Sequence, residues 1–294
     1  MFWQLLANGL VTGSVYAIAA IGVSLLYGLL RLVNFAHGDL MALGAFLSYL
    51  ANAAFGWPMA AAALAGMAAT AALAVVCDAL LWRPLRRRRA GFMSLFLASI
   101  GLALVLRQAI LLLWGPQPRS YDVDPFKVYA LGDVRLSLAQ TATIVVASAA
   151  IAAIAVFLAR SATGRVMRAM ADDRALAQLS GIDVNRVILL TWVLAGLTAG
   201  LAGTLAALVQ GSFDPNFGFQ LLLPVFAAVV LGGIGSAYGA LAGGLALGLA
   251  TELSTWEGFA GGVEPAYKPV VAFTVLIGGL LLRPQGLFGR ARVV

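Results

Sequence analysis

The sequence predicts an all-α polytopic membrane protein, a bundle of about eight to nine transmembrane segments of the ~20 residues that cross a bilayer. Hydrophobic residues make up 62% of the 294 residues, charged residues make up 11%, and the mean hydropathy is +0.96. Soluble domains contain roughly 45–50% apolar and about 25% charged residues. Arginine-rich segments also alternate with long apolar runs, as in membrane proteins. A water-soluble fold is therefore excluded.

Eight apolar stretches follow one another along the chain. They cover residues 2–29, 40–57, 59–82, 92–114, 137–159, 188–210, 219–256 and 269–282. The seventh stretch is too long for one helix and contains Pro224 and the run Gly232–Gly235, so we predict a short span or half-helix and then a second span from about Ser236. Whether the 40–57 and 219–231 segments cross fully is left open.

Arginine placement orients these segments. Five arginines occupy residues 83–89, five lie within 160–186 and three follow residue 282, whereas the loop 115–136 has no net charge. Because Lys and Arg accumulate in cytoplasmic loops, the arginine-rich segments are assigned to the cytoplasm and the neutral loop to the outside. The N-terminus is then outside and the C-terminus cytoplasmic. The same bias accounts for the net charge of +7, so we expect no nucleic-acid partner.

The residue inventory argues against an enzyme. The only lysines, Lys127 and Lys268, follow aromatic residues, so the chain has no GxxxxGK[ST] loop and does not hydrolyse ATP. A single histidine, His37, and a single cysteine, Cys77, exclude a two-histidine or multi-cysteine metal site. We therefore expect no catalytic residue, no metal and no cofactor in this chain.

Two helix breaks are predicted at membrane depth. Arg31–Asp39 (RLVNFAHGD) places polar residues and a glycine before a new apolar run, and Asp214–Phe219 (DPNFGF) repeats the Asn-Phe pair with a nearby glycine. Non-helical backbone persists in a membrane where it lines a cavity or is buried in protein, and transporters often place substrate at paired broken helices. The predicted translocation pathway is lined by Tyr16, Asn34, His37, Asp39, Gln210 and Asn216.

Ionisable groups at membrane depth cost several kcal/mol unless they are paired or hydrated. Asp78 lies near the end of the third stretch and Glu252 late in the split seventh stretch, and for both we expect pairing or snorkelling to an interface. Arg107 interrupts the 92–114 stretch. The sequence leaves open whether Arg107 forms a structural pair or belongs to the pathway.

Part of the second arginine-rich loop has the features of a docking element. Asp172 is predicted as the N-cap of a helix of about eight residues, with Asp173 in the first turn and Gly181 as terminator. Such a short helix is not stable alone in water, so flanking spans and a partner must hold it. Leu176 and Leu179 share one helical face, which an ordinary charged connector would not need.

Five segments of the chain together resemble the LivH-type permeases of branched-chain amino acid ABC transporters. The resemblance rests on NGLVTGSVYAIAAIG (Asn8–Gly22), VNFAHGD (Val33–Asp39), GRVMRAMADDRALAQLSGID (Gly164–Asp183), VLGGIGSAYGALAGG (Val230–Gly244) and YKPVV (Tyr267–Val271). NFAHG and VLGGIGS before a glycine-rich span are specific in combination. The short N-terminus and NFAHG favour a LivH-type over a LivM-type permease.

The resemblance implies a single transmembrane permease domain over residues 1–294, in the bacterial inner membrane, that forms half of a pathway for branched-chain or related amino acids. The implied partners are a LivM-type permease, two ABC ATPases that carry ATP and Mg, a periplasmic amino-acid-binding protein and membrane lipid. The loop at about 160–187 would couple to an ATPase. Its implied coupling residues are Gly164, Arg165, Arg168, Asp172, Asp173, Arg174, Leu176, Leu179, Gly181 and Asp183.

Two alternatives stay open at this point. The same architecture could carry urea, short amides or other amino acids, and the sequence does not separate these solutes. A secondary transporter driven by an ion gradient would need paired acidic groups at mid-membrane and no ATPase. The scarcity of such groups and the docking segment argue against that second class.

Overall fold

The computed structural model describes residues 1–123, 128–131, 134–258, 262–283 and 285–288. Within these ranges the chain is mostly helical, as predicted. The α-helices are α1 (Phe2–Leu30), α2 (His37–Tyr49), α3 (Met59–Cys77), α4 (Arg83–Arg87), α5 (Phe92–Trp114), α6 (Leu138–Arg160), α7 (Ala162–Asp172), α8 (Arg174–Leu179), α9 (Val184–Gln210), α10 (Phe217–Gly232), α11 (Ala237–Leu253) and α12 (Lys268–Leu282).

The described residues also contain three shorter helical pieces and one hairpin. A π-helix, Leu50–Ala54, extends α2; another, Asp78–Trp82, joins α3 to α4; and a 3₁₀ turn, Pro265–Tyr267, leads into α12. The all-α prediction missed an antiparallel hairpin of β1 (Val128–Leu131) and β2 (Val134–Ser137). Strands this short carry little hydrophobic periodicity, so the polar loop gave no strand signal.

Six helices of the described residues are long and apolar enough to cross a membrane: Phe2–Leu30, Met59–Arg87, Phe92–Trp114, Leu138–Arg160, Val184–Gln210 and Pro265–Leu282. The shorter apolar helices α10 and α11 have 16 and 17 residues. They divide the long apolar stretch as predicted, since α10 ends at Gly232 and the Ser236 hydroxyl caps α11 by accepting from the Gly239 amide. Pro224 lies inside α10 and does not separate the two helices. The number of full crossings stays a prediction.

The centre of the bundle is built on α1 and α9. In their most apolar windows, 83% of α1 and 72% of α9 is buried, against 22% of α5 and 17% of α6. Helices this buried are apolar on all faces, which is how their sequences read. Glycines let the backbones touch: Gly13 and Gly248 bring α1 against α11, and Gly203 meets the Met41 carbonyl where α9 crosses α2.

The loop 115–123, the hairpin and the N-terminus lie at one end of the bundle. The Gln4 side chain donates to the Arg135 carbonyl at 2.9 Å and accepts from the Arg135 amide at 2.8 Å. Arg119 and Phe213 exchange two backbone hydrogen bonds of 2.9 Å. The Tyr121 hydroxyl donates to the Ala45 carbonyl, and burial raises the pKa of this phenol. These contacts put the N-terminus and the described part of the neutral loop at the same end of the bundle, and the side of the membrane on which this end lies stays a prediction.

Two acidic residues at membrane depth are paired, as expected. Asp78 accepts from the Arg86 guanidinium at 2.7 Å. Glu252 receives the Lys268 ammonium at 2.8 Å on each carboxylate oxygen, which fastens α12 to α11. Each pair offsets the desolvation that an isolated carboxylate would suffer.

Candidate coupling segment and translocation surface

The coupling segment begins with a sharp turn at the end of α6. The Ser161 hydroxyl accepts from the Gly164 amide at 2.8 Å and so caps α7. A Cβ at Gly164 would collide with the carbonyls of Phe157 and Leu158, so a glycine is required where α7 turns back on α6. Met167 and Met170 are 1% and 2% exposed and anchor the apolar face of α7. This helix was not predicted from the sequence.

The next helix is capped by Asp173, and the prediction of Asp172 as its N-cap was wrong. The Asp173 carboxylate accepts from the amides of Ala175 and Leu176 at 2.8 and 3.0 Å. Asp172 is the last residue of α7, whereas Asp173 has the extended backbone (φ −146, ψ 107) that an N-cap adopts. The helix α8 therefore has six residues, fewer than the eight or so expected.

The end of α8 matches the prediction. Gly181 has φ +82, a left-handed conformation that glycine adopts without a Cβ clash, and it terminates the helix. Asp183 then caps α9, because its carboxylate accepts from the amides of Asn185 and Arg186 at 3.0 and 3.2 Å. Two aspartates and one glycine thus fix α8 directly before α9, the buried central helix.

The outward face of α8 is apolar and uncovered within the described chain. Leu176 is 61% exposed and Leu179 is 86% exposed, while Ala177 between them is 4% exposed and holds the helix against the protein. Three predicted coupling arginines are also exposed on this segment: Arg165, Arg168 and Arg174. The structure therefore brings the predicted coupling residues into one projecting segment. Their role in coupling stays a prediction.

The two predicted helix breaks are present, and the structure places them against each other. Residues 31–36 and 211–216 are non-helical. The backbones of Gly38 and Gly218, at the starts of α2 and α10, are in direct contact, and a Cβ on either would collide with the carbonyl of the other. The pairing inferred from a shared Asn-Phe-Gly pattern is therefore a real contact between the two halves of the chain.

Most of the predicted pathway residues at the first break are buried. Asn34, His37 and Asp39 are 1%, 0% and 0% exposed, and Tyr16 is half-buried. The Asn34 side chain accepts from the Ala36 amide at 3.2 Å and so shapes the break. The two His37 ring nitrogens are buried without a well-formed hydrogen bond in the described chain.

The other two predicted pathway residues, Gln210 and Asn216, are exposed. Gln210 is the last residue of α9 and Asn216 precedes α10, so both flank the second break. A cavity of about 440 Å³ lies beside the end of α9, between Leu208–Gly211, Ser120–Tyr121 and Ser137–Ala139. Of the six predicted pathway residues only Gln210 falls within those stretches, and none of the six lines the cavity.

Arg107 forms a pair whose partner the sequence did not reveal. Its Nε and Nη2 atoms donate to the two carboxylate oxygens of Asp39 at 3.0 and 3.3 Å, and its Cζ lies 4.5 Å from the centre of the Phe219 ring. This contact joins α5, α2 and α10 beside the paired breaks. Asp39 and Arg107 are 68 positions apart, so no local pattern could indicate the pair.

Comparison with known proteins gives the family. The family described as "Branched-chain amino acid transport system / permease component" matches residues 5–280. The high-affinity branched-chain amino acid transport system permease protein BraD of Pseudomonas aeruginosa is 33% identical over 306 residues, covering 99% of this chain and 97% of BraD. The corresponding permease protein LivH of Escherichia coli K12 is 33% identical over 305 residues, with the same coverage.

A solved structure supports the fold. PsaBC from Streptococcus pneumoniae in complex with Fab superposes with a TM-score of 0.50 and 17% identity, over 97% of this chain and 94% of that chain. At this identity the likeness concerns the fold alone. The apolar helices, the paired breaks, the projecting segment and the nearly full-length matches lead to one conclusion: the chain belongs to the branched-chain amino acid transport system permease family.

Proposed function

We propose that this chain forms one half of the transmembrane pathway of a binding-protein-dependent ABC importer and is driven by separate ATPase subunits. The observation that carries the proposal is the pair of exposed leucines on α8, Leu176 and Leu179. Exposed leucines on a capped six-residue helix make sense when a partner covers them, because so short a helix gains little stability from its own hydrogen bonds.

The surroundings of these leucines indicate the chemistry of the partner surface. Arg165, Arg168 and Arg174 are exposed on the same segment. The segment therefore presents a small apolar docking surface, Leu176 and Leu179, beside a basic surface. We expect the ATPase to offer an apolar groove with acidic residues at its rim, since complementary charge steers association.

We expect a movement of α8 to reach the centre of the bundle. The Ala177 carbonyl accepts from the Ile182 amide at 3.1 Å, and the next residue, Asp183, caps α9. Helix α9 in turn meets the first break directly: Thr198 lies against Gly22 and the His37 ring packs beside them. A displacement of the ATPase would therefore be passed through α9 to the paired breaks, where the pathway would switch sides.

The remaining parts of the proposal follow the family. The substrate class is branched-chain or related amino acids, the partners are a LivM-type permease, two ATPases that hold ATP and Mg, a periplasmic binding protein and lipid, and the chain itself uses no cofactor. The N-terminus lies outside and the C-terminus in the cytoplasm of a bacterial inner membrane, with the exposed arginines of 160–186 on the cytoplasmic side. Urea, short amides or other amino acids are the alternative solutes.

The test is reconstitution of the chain with its partner permease, two ATPases and binding protein. We expect binding-protein-stimulated ATP hydrolysis and ATP-dependent uptake of leucine, isoleucine or valine into vesicles, with urea and acetamide as the competing solutes. Concentrative uptake by this chain in vesicles without the ATPases would contradict the proposal. Uptake of urea and not of amino acids would assign the alternative solute.

A further inference from the structure

We propose that Arg107 binds the carboxylate of the amino acid in transit, on a surface formed by α5 and α10. This inference rests on the proposed function and adds a substrate contact within the chain. Arg107 is the only charged residue of α5, about 10 Å along the helix from its Trp114 end. It therefore places a positive charge well inside the membrane-spanning part of the protein.

The geometry leaves part of the guanidinium available. Its Nε and Nη2 atoms bind Asp39, which is 0% exposed, while the Arg107 side chain is 16% exposed. In the described chain Nη1 makes no hydrogen bond, and it is not one of the buried atoms without a partner. Nη1 therefore keeps accessible surface, and its two N–H groups belong to the planar guanidinium that suits a carboxylate.

The surface around this group is amphipathic. Phe219, Gln220 and Leu223 of α10 and Asn216 directly before it are exposed at helical spacing, so they share one face. Phe219 stacks on the guanidinium, and Gln108 is exposed on α5 beside it. Amides and a guanidinium at membrane depth are expensive against lipid tails, so this face is expected to meet a hydrated pathway and not lipid.

The chemistry fits a zwitterion with an apolar side chain. The carboxylate would bind Nη1 of Arg107, the hydrocarbon side chain would pack on Phe219 and Leu223, and the ammonium would face the amide oxygens of Asn216 or Gln220. Because Asp39 already neutralises the guanidinium, the carboxylate meets a screened charge. Binding is therefore weak enough to permit release, which a pathway requires.

The experiment uses the assembled importer in vesicles and a leucine analogue with a photoreactive diazirine in its side chain, delivered by the binding protein with ATP. After illumination, mass spectrometry locates the label. We expect label on the peptides that contain residues 104–112 and 216–223. Label confined to other helices, such as α6, would overturn the inference.

A paired substitution tests the role of the charge. Arg107→Gln with Asp39→Asn removes both charges together, so no buried carboxylate is left unpaired. We expect label on these peptides and the rate of uptake to fall about tenfold or more, the effect of losing one charge-assisted hydrogen bond, while the ATPases still co-purify. Undiminished labelling in this double variant would overturn the proposal. Ser148→Ala, on the exposed face of α6, is the matched control and should label as the parent.

A second variant tests the proposed surface even if the double variant does not fold. Gln220→Trp enlarges a side chain on the exposed surface of α10 and leaves Arg107 and Asp39 themselves unchanged, and it should abolish labelling and uptake in an assembled complex. Normal labelling of Gln220→Trp would contradict the proposed surface. If the parent complex carries no branched-chain amino acid at all, the proposed function fails; if it carries them but labels elsewhere, only the Arg107 contact fails.

Discussion

Replacing Leu176 and Leu179 by alanine should weaken binding of the ATPase without unfolding the permease. Each Leu→Ala change removes about 2.4 kcal/mol of transfer free energy on full burial, at about 0.8 kcal/mol per methylene equivalent. Before docking, Leu176 is 61% exposed and Leu179 is 86% exposed. If the partner covers most of this surface, the double substitution should cost about 2–3 kcal/mol of binding free energy. This corresponds to about a 30- to 150-fold rise in the dissociation constant.

The assay is titration of purified ATPase onto the permease pair in lipid nanodiscs, with uptake measured in parallel. Alanine is the strongest helix former, so weaker binding could not be assigned to unfolding of α8. Gln178→Ala is the matched control, because Gln178 is exposed on the side of α8 opposite Leu176. An unchanged dissociation constant for the double variant would refute the assignment of Leu176 and Leu179 on α8 as the docking surface.

Three further outcomes follow from the structure. Gly218→Ala drives a Cβ into the Gly38 carbonyl and should lower the unfolding free energy in detergent by about 1–3 kcal/mol. Asp173→Ala removes the α8 cap, costs about 1 kcal/mol, and should raise hydrogen exchange at the Leu176 amide about fivefold. Glu252→Gln breaks the ion pair that fastens α12, and thermal unfolding should detect a loss of about 1–3 kcal/mol.

Controls separate these effects from nonspecific damage. Gly101→Ala adds the same methyl group within α5 where no atom outside its own stretch of helix lies within 4 Å, so its thermal stability should equal or exceed that of the parent, because alanine is the better helix former. Asp183→Ala should speed exchange at the start of α9 and leave the α8 amides unchanged. Equal destabilisation by Gly218→Ala and Gly101→Ala would disprove the close contact of the two breaks, and unchanged exchange in Asp173→Ala would disprove its role as cap.

The fold was largely predictable from local sequence, because the length of an apolar run is enough to indicate a membrane-spanning helix. The bounds of 92–114 are those of α5, and the division of 219–256 into two helices is as expected. The errors came where one residue decides between neighbouring conformations. Asp172 and Asp173 are equally good caps by residue type, and only the backbone of each distinguishes them. The hairpin before α6 was missed because its strands are four residues each.

The candidate sites were predictable to different degrees. The coupling segment is local, so its leucines and Gly181 could be named from adjacent residues, whereas its cap was placed one residue too early. The pathway is not local: Asn34, His37 and Asp39 were chosen for polarity, yet all three are buried. A polar side chain at a helix break can line the space or hold the break closed, and the sequence carries no signal that separates these roles.

By itself the sequence determined that this is a membrane protein, which segments are helical, where two helices break and that a short helix follows in the second arginine-rich loop. These depend on hydrophobicity and on neighbours within a few positions. Only the tertiary structure decided that the breaks touch at Gly38 and Gly218 and that Arg107 pairs with Asp39. Such contacts join helices that are far apart in the chain, so no pattern among neighbouring residues indicates them.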